Sequence, residues 1–245
     1  MKRIVILVLL FLSFSVFAQC EDKYYYGVPT SNLEVNQLCR KEYAVLYSNS
    51  CKIPLVVSEK LLATEIGGTE QRSSSFKADM EIEEQYRATI SDYTGRKKMK
   101  IDIGHMAPAG DFTRDSIAMR ESFLLSNTVP QYERMNRGIW RQLEMRVRAL
   151  TVKYGEVYVI TGAIVDHEKT IGSGVCVPTQ MYKVIYVPKL NETVSYLIPN
   201  KNNLGKVRFQ DYVTSAIEIE HQSGFTFFPQ SKSALIKETG KMIEK

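Results

Sequence analysis

Two stretches of the chain gather side chains able to move protons and hold charge. The first, Lys100-Ile101-Asp102-Ile103-Gly104-His105-Met106-Ala107-Pro108, reads as a strand running into a glycine turn. A histidine stands at the strand end, and a proline stops the loop beyond it. The second runs from Ser126 to Gln131 and continues as Asn136-Arg137-Gly138-Ile139-Trp140-Arg141-Gln142-Leu143-Glu144. Counting in fours on a helix after Pro130 puts Asn136, Trp140, Glu144 and Arg148 on one face. Ile139, Leu143, Val147 and Leu150 form the adjacent apolar stripe. An amide, a carboxylate and a guanidinium thus stand in a row beside a buried face. Singly, each group has an ordinary explanation: Glu144 and Arg148 as a solvated i, i+4 pair, Asn136 as a surface or cap residue, His105 as a structural histidine.

The elements that must position these groups are legible from β-branched and aromatic enrichment. Strands are expected at Tyr43 to Tyr47, Ile53 to Ser58, Val157 to Ala163, Tyr182 to Val187 and Thr193 to Ile198. Helices are expected at 116 to 127, at about 131 to 151 and over part of Val207 to Ile219, with a short loop or helix at Glu81 to Ala88. Strands and helices mix without regular βαβ alternation. The expected fold is therefore α+β, a mostly antiparallel central sheet flanked by helices. The composition agrees: 245 residues, 44% hydrophobic and 24% charged, describe a globular protein and exclude disorder, collagen-like sequence and a coiled coil. A net charge of +5 is compatible with a polyanionic partner without requiring one.

Lys2 and Arg3, the apolar run Ile4 to Phe17, and small residues Val16 and Ala18 form a secretory signal pattern, with cleavage before Gln19. The run is shorter than the roughly 20 residues a membrane span needs. An uncleaved anchor, or a lipoprotein through Cys20, are the other readings. The expected organisation is a signal peptide at 1–18, an N-terminal arm at 19–34, one domain at 35–232 and a Lys-rich tail at 233–245. The product is secreted or periplasmic, with no membrane association after cleavage. In that oxidising setting the 4 cysteines are expected as two disulfides. Of three connectivities, Cys20–Cys39 (tying down the arm) and Cys51–Cys176 (closing a long loop) are favoured. No C-x-x-C pair or His-rich partner suggests zinc.

Taken together, the motifs resemble the sugar-nonspecific DNA/RNA endonucleases of the ββα-metal class, the endonuclease G-like family. The family's D-R-G-H then x-A-P matches Asp102-Ile103-Gly104-His105 then Met106-Ala107-Pro108. Its N-x-x-P-Q matches Asn127 to Gln131, and its N-x-x-x-W-x-x-L-E matches Asn136 to Glu144. The likeness continues through Arg72, Phe76 and Asp79, through Tyr86-Arg87-Ala88 before Asp92-Tyr93, through Val177-Pro178 to Tyr182-Lys183, and through Gly224 to Pro229. It covers about residues 35 to 230.

The resemblance implies hydrolysis of DNA and RNA phosphodiesters at a ββα-metal motif. His105 would be the general base. Asn136 would be the direct ligand of a hydrated Mg²⁺, with Mn²⁺ as a substitute. Glu144 would hold metal-bound waters, while Arg72 and Arg148 would contact phosphate. Asn127 would position the His105 loop or the substrate, and Asp102 would brace the motif. Contacts confined to the backbone would make base sequence and sugar type matter little. One position departs from the pattern: Ile103 stands where the family has arginine, and the basic stretch Arg96-Lys97-Lys98-Met99-Lys100, a solvated hairpin turn on its own terms, is a candidate replacement. Two other readings follow. One is a degenerate relative that binds nucleic acid with little hydrolysis. The other is a delivered toxin with an inhibitor or immunity protein as its partner. The oligomeric state is not legible.

Overall fold

A computed structural model describes residues 20–229 and 237–238. The expected signal peptide and all of the tail except Lys237 and Glu238 lie outside the described residues. In chain order the strands are β1 (Thr30–Ser31), β2 (Asn36–Cys39), β3 (Tyr43–Ser48), β4 (Ile53–Leu62), β5 (Ile101–His105), β6 (Thr128–Tyr132), β7 (Glu156–Ile164), β8 (Thr170–Ile171), β9 (Val175–Cys176), β10 (Gln180–Val187), β11 (Glu192–Pro199), β12 (Val213–Thr214), β13 (Phe225–Thr226) and β14 (Lys237–Glu238). The α-helices are α1 (Arg96–Met99), α2 (Ser116–Ser122), α3 (Glu133–Met135), α4 (Arg141–Tyr154) and α5 (Ala216–Ser223), with a π-helical turn at Asn136–Trp140. Among the described residues no helix is long and apolar enough to cross a membrane.

The main sheet has 8 strands in the order β12-β11-β10-β7-β4-β3-β2, with β14 added in parallel along β11. Every other pairing in it is antiparallel. The fold is α+β, as expected. The central strands are covered on both faces, so β4 and β10 are buried along almost their whole length, Ser58, Glu59 and Lys183 included. Pro54 is tolerated in β4 because it pairs with Tyr47 beside a register shift and precedes the start of pairing to β7 at Val56. Tyr182 lies across Gly162 in the neighbouring strand. A Cβ at Gly162 would come within 1.9 Å of its ring. On the opposite face, Thr161 and Lys183 form one cross-strand pair, and Glu59 and Val159 another. That face carries α4, and Lys183 Nζ sits 5.1 Å from the centroid of the Trp140 ring.

All five expected strands are present and extended. The helices needed correction. The expected helix at 116–127 is α2 followed by a separate 3₁₀ turn at Leu125–Asn127, and Val207 to Ile219 is a 3₁₀ turn, strand β12 and only the start of α5. Glu81 to Ala88 contains one 3₁₀ turn, Glu84–Tyr86. Arg96 to Lys100, read as a hairpin turn, is the single helical turn α1 bounded by left-handed Gly95 and Lys100. The cysteines pair as favoured, Cys20–Cys39 and Cys51–Cys176, with Cα separations of 5.6 and 4.9 Å. The first ties the arm to β2, and β1 of the same arm pairs with β13. In the tail, β14 is held to β11, and Glu238 Oε1 accepts a hydrogen bond from the Ala216 backbone N–H at 2.6 Å.

Candidate active site

A two-stranded ribbon and the helix that follows it carry the chemistry. β5 pairs antiparallel with β6, Asp102 opposite Gln131 and His105 opposite Thr128, and β6 runs directly into α3, the π turn and α4. Gly104 is required in this ribbon because the Gln131 side chain lies over it. A Cβ there would stand 2.2 Å from the Gln131 carboxamide. The ribbon ends in the loop that presents His105. Asn127, fully buried, holds that loop from behind: its Oδ1 accepts from Ala107 N–H at 3.0 Å, and its Nδ2 donates to the Ala107 and Ser122 carbonyls at 2.9 Å each. Asn127 therefore supports the His105 loop and does not line the cleft. Of the two placements expected for it, loop or substrate, the structure shows the loop.

His105 packs against Phe76 and Phe123, with ring centroids 5.0 and 4.7 Å away. Burial, reinforced by the nearby Arg72 guanidinium, pulls its pKa down to about 3. The imidazole is neutral at physiological pH. The ring lines the cleft, while its Nε2 is buried with no hydrogen-bond partner in the protein. Arg72 stacks over the Phe123 ring at 5.0 Å. His105 and Arg72 thus share one aromatic wall.

Asp102 braces the helix start as well as the ribbon. Its Oδ2 accepts from Asn136 Nδ2 at 2.9 Å and Arg137 Nε at 2.8 Å, and its Oδ1 accepts from Arg137 Nη2 at 2.6 Å. With Nδ2 committed to Asp102, the Asn136 carbonyl oxygen is the free end of that amide. The π turn sets where this end points. Arg141 N–H bonds back to Asn136 O five residues earlier, one residue more than an α turn takes. The extra residue stacks Asn136 over Arg141 and swings Trp140 into the core, where it is fully buried. This corrects the expected row: Asn136, Glu144 and Arg148 share the cleft face, and Trp140 does not. The apolar stripe Ile139, Leu143, Val147 and Leu150 is buried as expected.

Further along α4, Arg148 Nη1 donates to the buried Asp111 carboxylate at 2.6 Å. Gly110 makes room for it, since a Cβ there would lie 3.0 Å from Nη1. Burial pushes the Glu144 carboxyl up to about 7. Lys183, Arg148 and Arg72 oppose the rise, and Asp111 adds to it. Deeper in the sheet, Glu59 is pushed well above the usual carboxylate range by burial, and the buried Lys183 donates to Thr161 Oγ1 at 2.6 Å. Ile103, His105 and Asn136 line a cleft of about 390 Å³ with Arg72, Arg137, Arg141 and Arg148 around one carboxylate, Glu144. Among the described residues, Arg72 and Arg141 have no ion-pair partner.

Residues 21–234 match the DNA/RNA non-specific endonuclease family. The chain belongs to that family. Its relatives include the mitochondrial nuclease EXOG of Xenopus laevis, 33% identical over 223 residues, covering 84% of this chain and 61% of that one. Nuclease C1 of Cunninghamella echinulata var. echinulata is 33% identical over 207 residues, covering 77% of this chain and 81% of its own. The chain spans about three fifths of the EXOG protein's length. Among solved structures, one from a complex of EndoG with EndoGI, described as showing the mechanism of EndoG inhibition, superposes with a TM-score of 0.78. It is 28% identical, over 91% of this chain and 96% of that one.

For a DNA/RNA non-specific endonuclease, a divalent cation is expected, and the donors here suit a hard one. The Asn136 carbonyl is oriented and unclaimed, and the Glu144 carboxylate faces the same cleft. Both are oxygen donors, and neither a thiolate nor a second imidazole lines the cleft. Cys51, Cys176 and His167 lie close together elsewhere, but the two sulfurs are joined to each other. The family arginine's place is taken by Ile103, which lines the cleft wall, 9% exposed. The basic α1 segment does not line the cleft. Arg137 and Arg141, which the sequence reading passed over, do. Their signal was present, because 137, 141, 144 and 148 repeat at helical spacing and form one charged stripe.

Proposed function

We propose that this protein is an exported, Mg²⁺-dependent endonuclease that hydrolyses DNA and RNA phosphodiesters without strong sequence preference. The observation that carries the reading is the joint placement of a neutral His105 and an Asp102-oriented Asn136 in a cleft walled by four arginines. His105 accepts the proton of the attacking water through its neutral imidazole. Arg72 and Arg141 hold phosphate oxygens, whose contacts carry no base information. Arg148 adds positive potential through the guanidinium edge not used by Asp111. Asn136 Oδ1 would hold the metal directly, and Glu144 would hold it through water. When bound, Mg²⁺ (or Mn²⁺) supplies positive charge to the phosphate and the departing oxygen. Asp102 and Asn127 act through others, orienting Asn136 and the His105 loop.

Export is supported by the N-terminal signal pattern and by the pairing of all four cysteines. The organisation proposed is one catalytic domain at 35–232, with the arm at 19–34 stapled onto it and the tail at 233–245 beyond. The solved EndoG complex supports an inhibitor protein as a second partner besides nucleic acid. Plasmid DNA and a structured RNA, each incubated with Mg²⁺ or with EDTA, test the reading. Nicking and linearisation of DNA, and breakdown of RNA, are expected only with metal. Retention of DNA without cleavage at any concentration of Mg²⁺ or Mn²⁺ would make the chain a binder and overturn it.

A further inference from the structure

Beside the catalytic cleft, on the adjacent face of the same helical segment, lies a second groove of about 370 Å³. Its walls include Arg134, Gly138, Gln142, Asn202, Leu204 and Lys206, two cations and no acid. Asn202 ties the groove's far wall to the ribbon and helix: its Oδ1 accepts from Arg134 N–H at 2.9 Å, and its Nδ2 reaches the Lys100 carbonyl at 3.4 Å. The Lys100 backbone, at the end of the exposed basic segment, therefore lies against the residue that walls the groove. Among the described residues none of Arg134, Lys206, Lys97, Lys98 or Lys100 has an ion-pair partner.

Gly138 lines the groove, and Arg137 and Arg141, on either side of it in the chain, line the cleft. This glycine lies inside a helical segment, where glycine is a weaker choice than alanine. Its φ is not in the left-handed region, and a Cβ built on it would meet nothing within 4 Å. Neither backbone conformation nor packing demands it. Its effect is to leave the ridge between the two depressions without a side chain, flanked by Arg137 and Arg141 on the cleft side and by Arg134 and Gln142 on the groove side.

We propose that the groove is a second nucleic-acid subsite. The sugar-phosphate backbone leaving the cleft crosses the helix at Gly138 and runs between Arg134 and Lys206. The inference rests on the endonuclease reading and adds to it a substrate path. A helix is roughly 10 Å across and a stacked strand advances roughly 3.4 Å per nucleotide, so the groove begins about three nucleotides from the scissile bond. Short substrates do not reach it.

The test uses the full chain with two single-stranded DNAs, a tetranucleotide and an oligomer of about thirty nucleotides. The double variant Arg134→Ala/Lys206→Ala is expected to raise KM for the long oligomer about tenfold. Its Kd for the long oligomer in EDTA should weaken by the same factor, with a salt slope shallower by about two. Cleavage of the tetranucleotide should stay within about twofold of wild type. Gly138→Gln, which fills the saddle with a good helix former, should reproduce the length-dependent defect without lowering the melting temperature, whereas Gly138→Ala should not. Equal losses on both substrates, or no loss on the long one in either KM or Kd, overturn the subsite and leave the endonuclease reading standing. A wild-type protein that binds the long oligomer but cleaves neither substrate overturns the endonuclease reading instead, and the EDTA titration then decides the groove on binding alone.

Discussion

Asp102→Ala separates orientation from stability more sharply than any other change in the site. The carboxylate accepts three hydrogen bonds, one from Asn136 and two from Arg137. The Arg137 side chain is 62% exposed, so its ion pair contributes at most about 1 kcal/mol to folding. The bond to Asn136 contributes about another 1 kcal/mol. At roughly 2–4 °C per kcal/mol for a chain of this size, the melting temperature should fall by about 4–8 °C. The functional loss is of a different order. Without Asp102, the Asn136 amide is free to turn, and a group that orients a metal ligand typically governs 10–100-fold in metal affinity. The Mg²⁺ concentration for half-maximal cleavage should therefore rise about 10–100-fold, with most of the rate recovered at saturating metal. Asp102→Asn, which keeps an acceptor for Asn136 but loses the charge facing Arg137, should fall between. The assay is a Mg²⁺ titration of plasmid nicking beside a thermal melt. A half-saturation point that stays within about threefold of wild type, in a variant that still melts cooperatively, would show that Asp102 does not set the Asn136 orientation.

His105→Ala should reduce kcat by about 10² or more while leaving the Kd for DNA in EDTA little changed; near-normal turnover would remove the general-base assignment. The same histidine carries a pH signature. Its folded pKa of about 3 lies below the ordinary 6.5, so the unfolded chain binds the extra proton between those values, and stability falls as pH drops through that window. The contribution is about 1.4 kcal/mol per pH unit, and His105→Phe should remove it; urea melts at about pH 4 and about pH 7 that show the same pH dependence in both proteins would contradict this. Ile103→Arg should raise kcat/KM about three- to thirtyfold at low salt, because the side chain lies on the cleft wall with room at the solvent edge. A lower melting temperature with no kinetic gain would mean that Ile103 is needed for packing. Removing Cys51–Cys176, whose partners are 125 residues apart, should cost about 5 kcal/mol, against about 3 kcal/mol for Cys20–Cys39 at a separation of 19. Denaturant titrations of the two Cys→Ser pairs that reverse this order would point to native strain or residual structure instead of loop closure.

Several features of the site were readable because they are local. The strand into Gly104 and His105 is announced by its residue types, and the apolar stripe from Ile139 to Leu150 by its period. Those signals reflect forces that act within one element: side-chain alternation on a strand, and one buried face on a helix. The ordered motifs then identified the family, since Asp102, His105, Asn127, Asn136 and Glu144 occur in sequence at the spacing the ββα ribbon and helix require.

What the chain alone did not reveal depends on residues distant in sequence meeting in space. A count in fours keeps Trp140 beside Asn136; the π turn separates them, and it persists where Trp140 is buried against Lys183 on the sheet face that α4 covers. No periodicity encodes that contact. Arg148 reads as a free phosphate ligand until Asp111 is found against it, and Arg137 draws no notice until Asp102 accepts from its Nε and Nη2. Asn127, open to two placements, at the loop or at the substrate, is settled as a support behind the loop for the same reason: its amide makes three hydrogen bonds to Ala107 and Ser122. Residue type and local spacing determined the chemistry available to this protein. The assignment of each polar group, to the reaction or to holding another group in place, was decided by tertiary packing, because a buried donor or acceptor must find its partner wherever in the chain that partner lies.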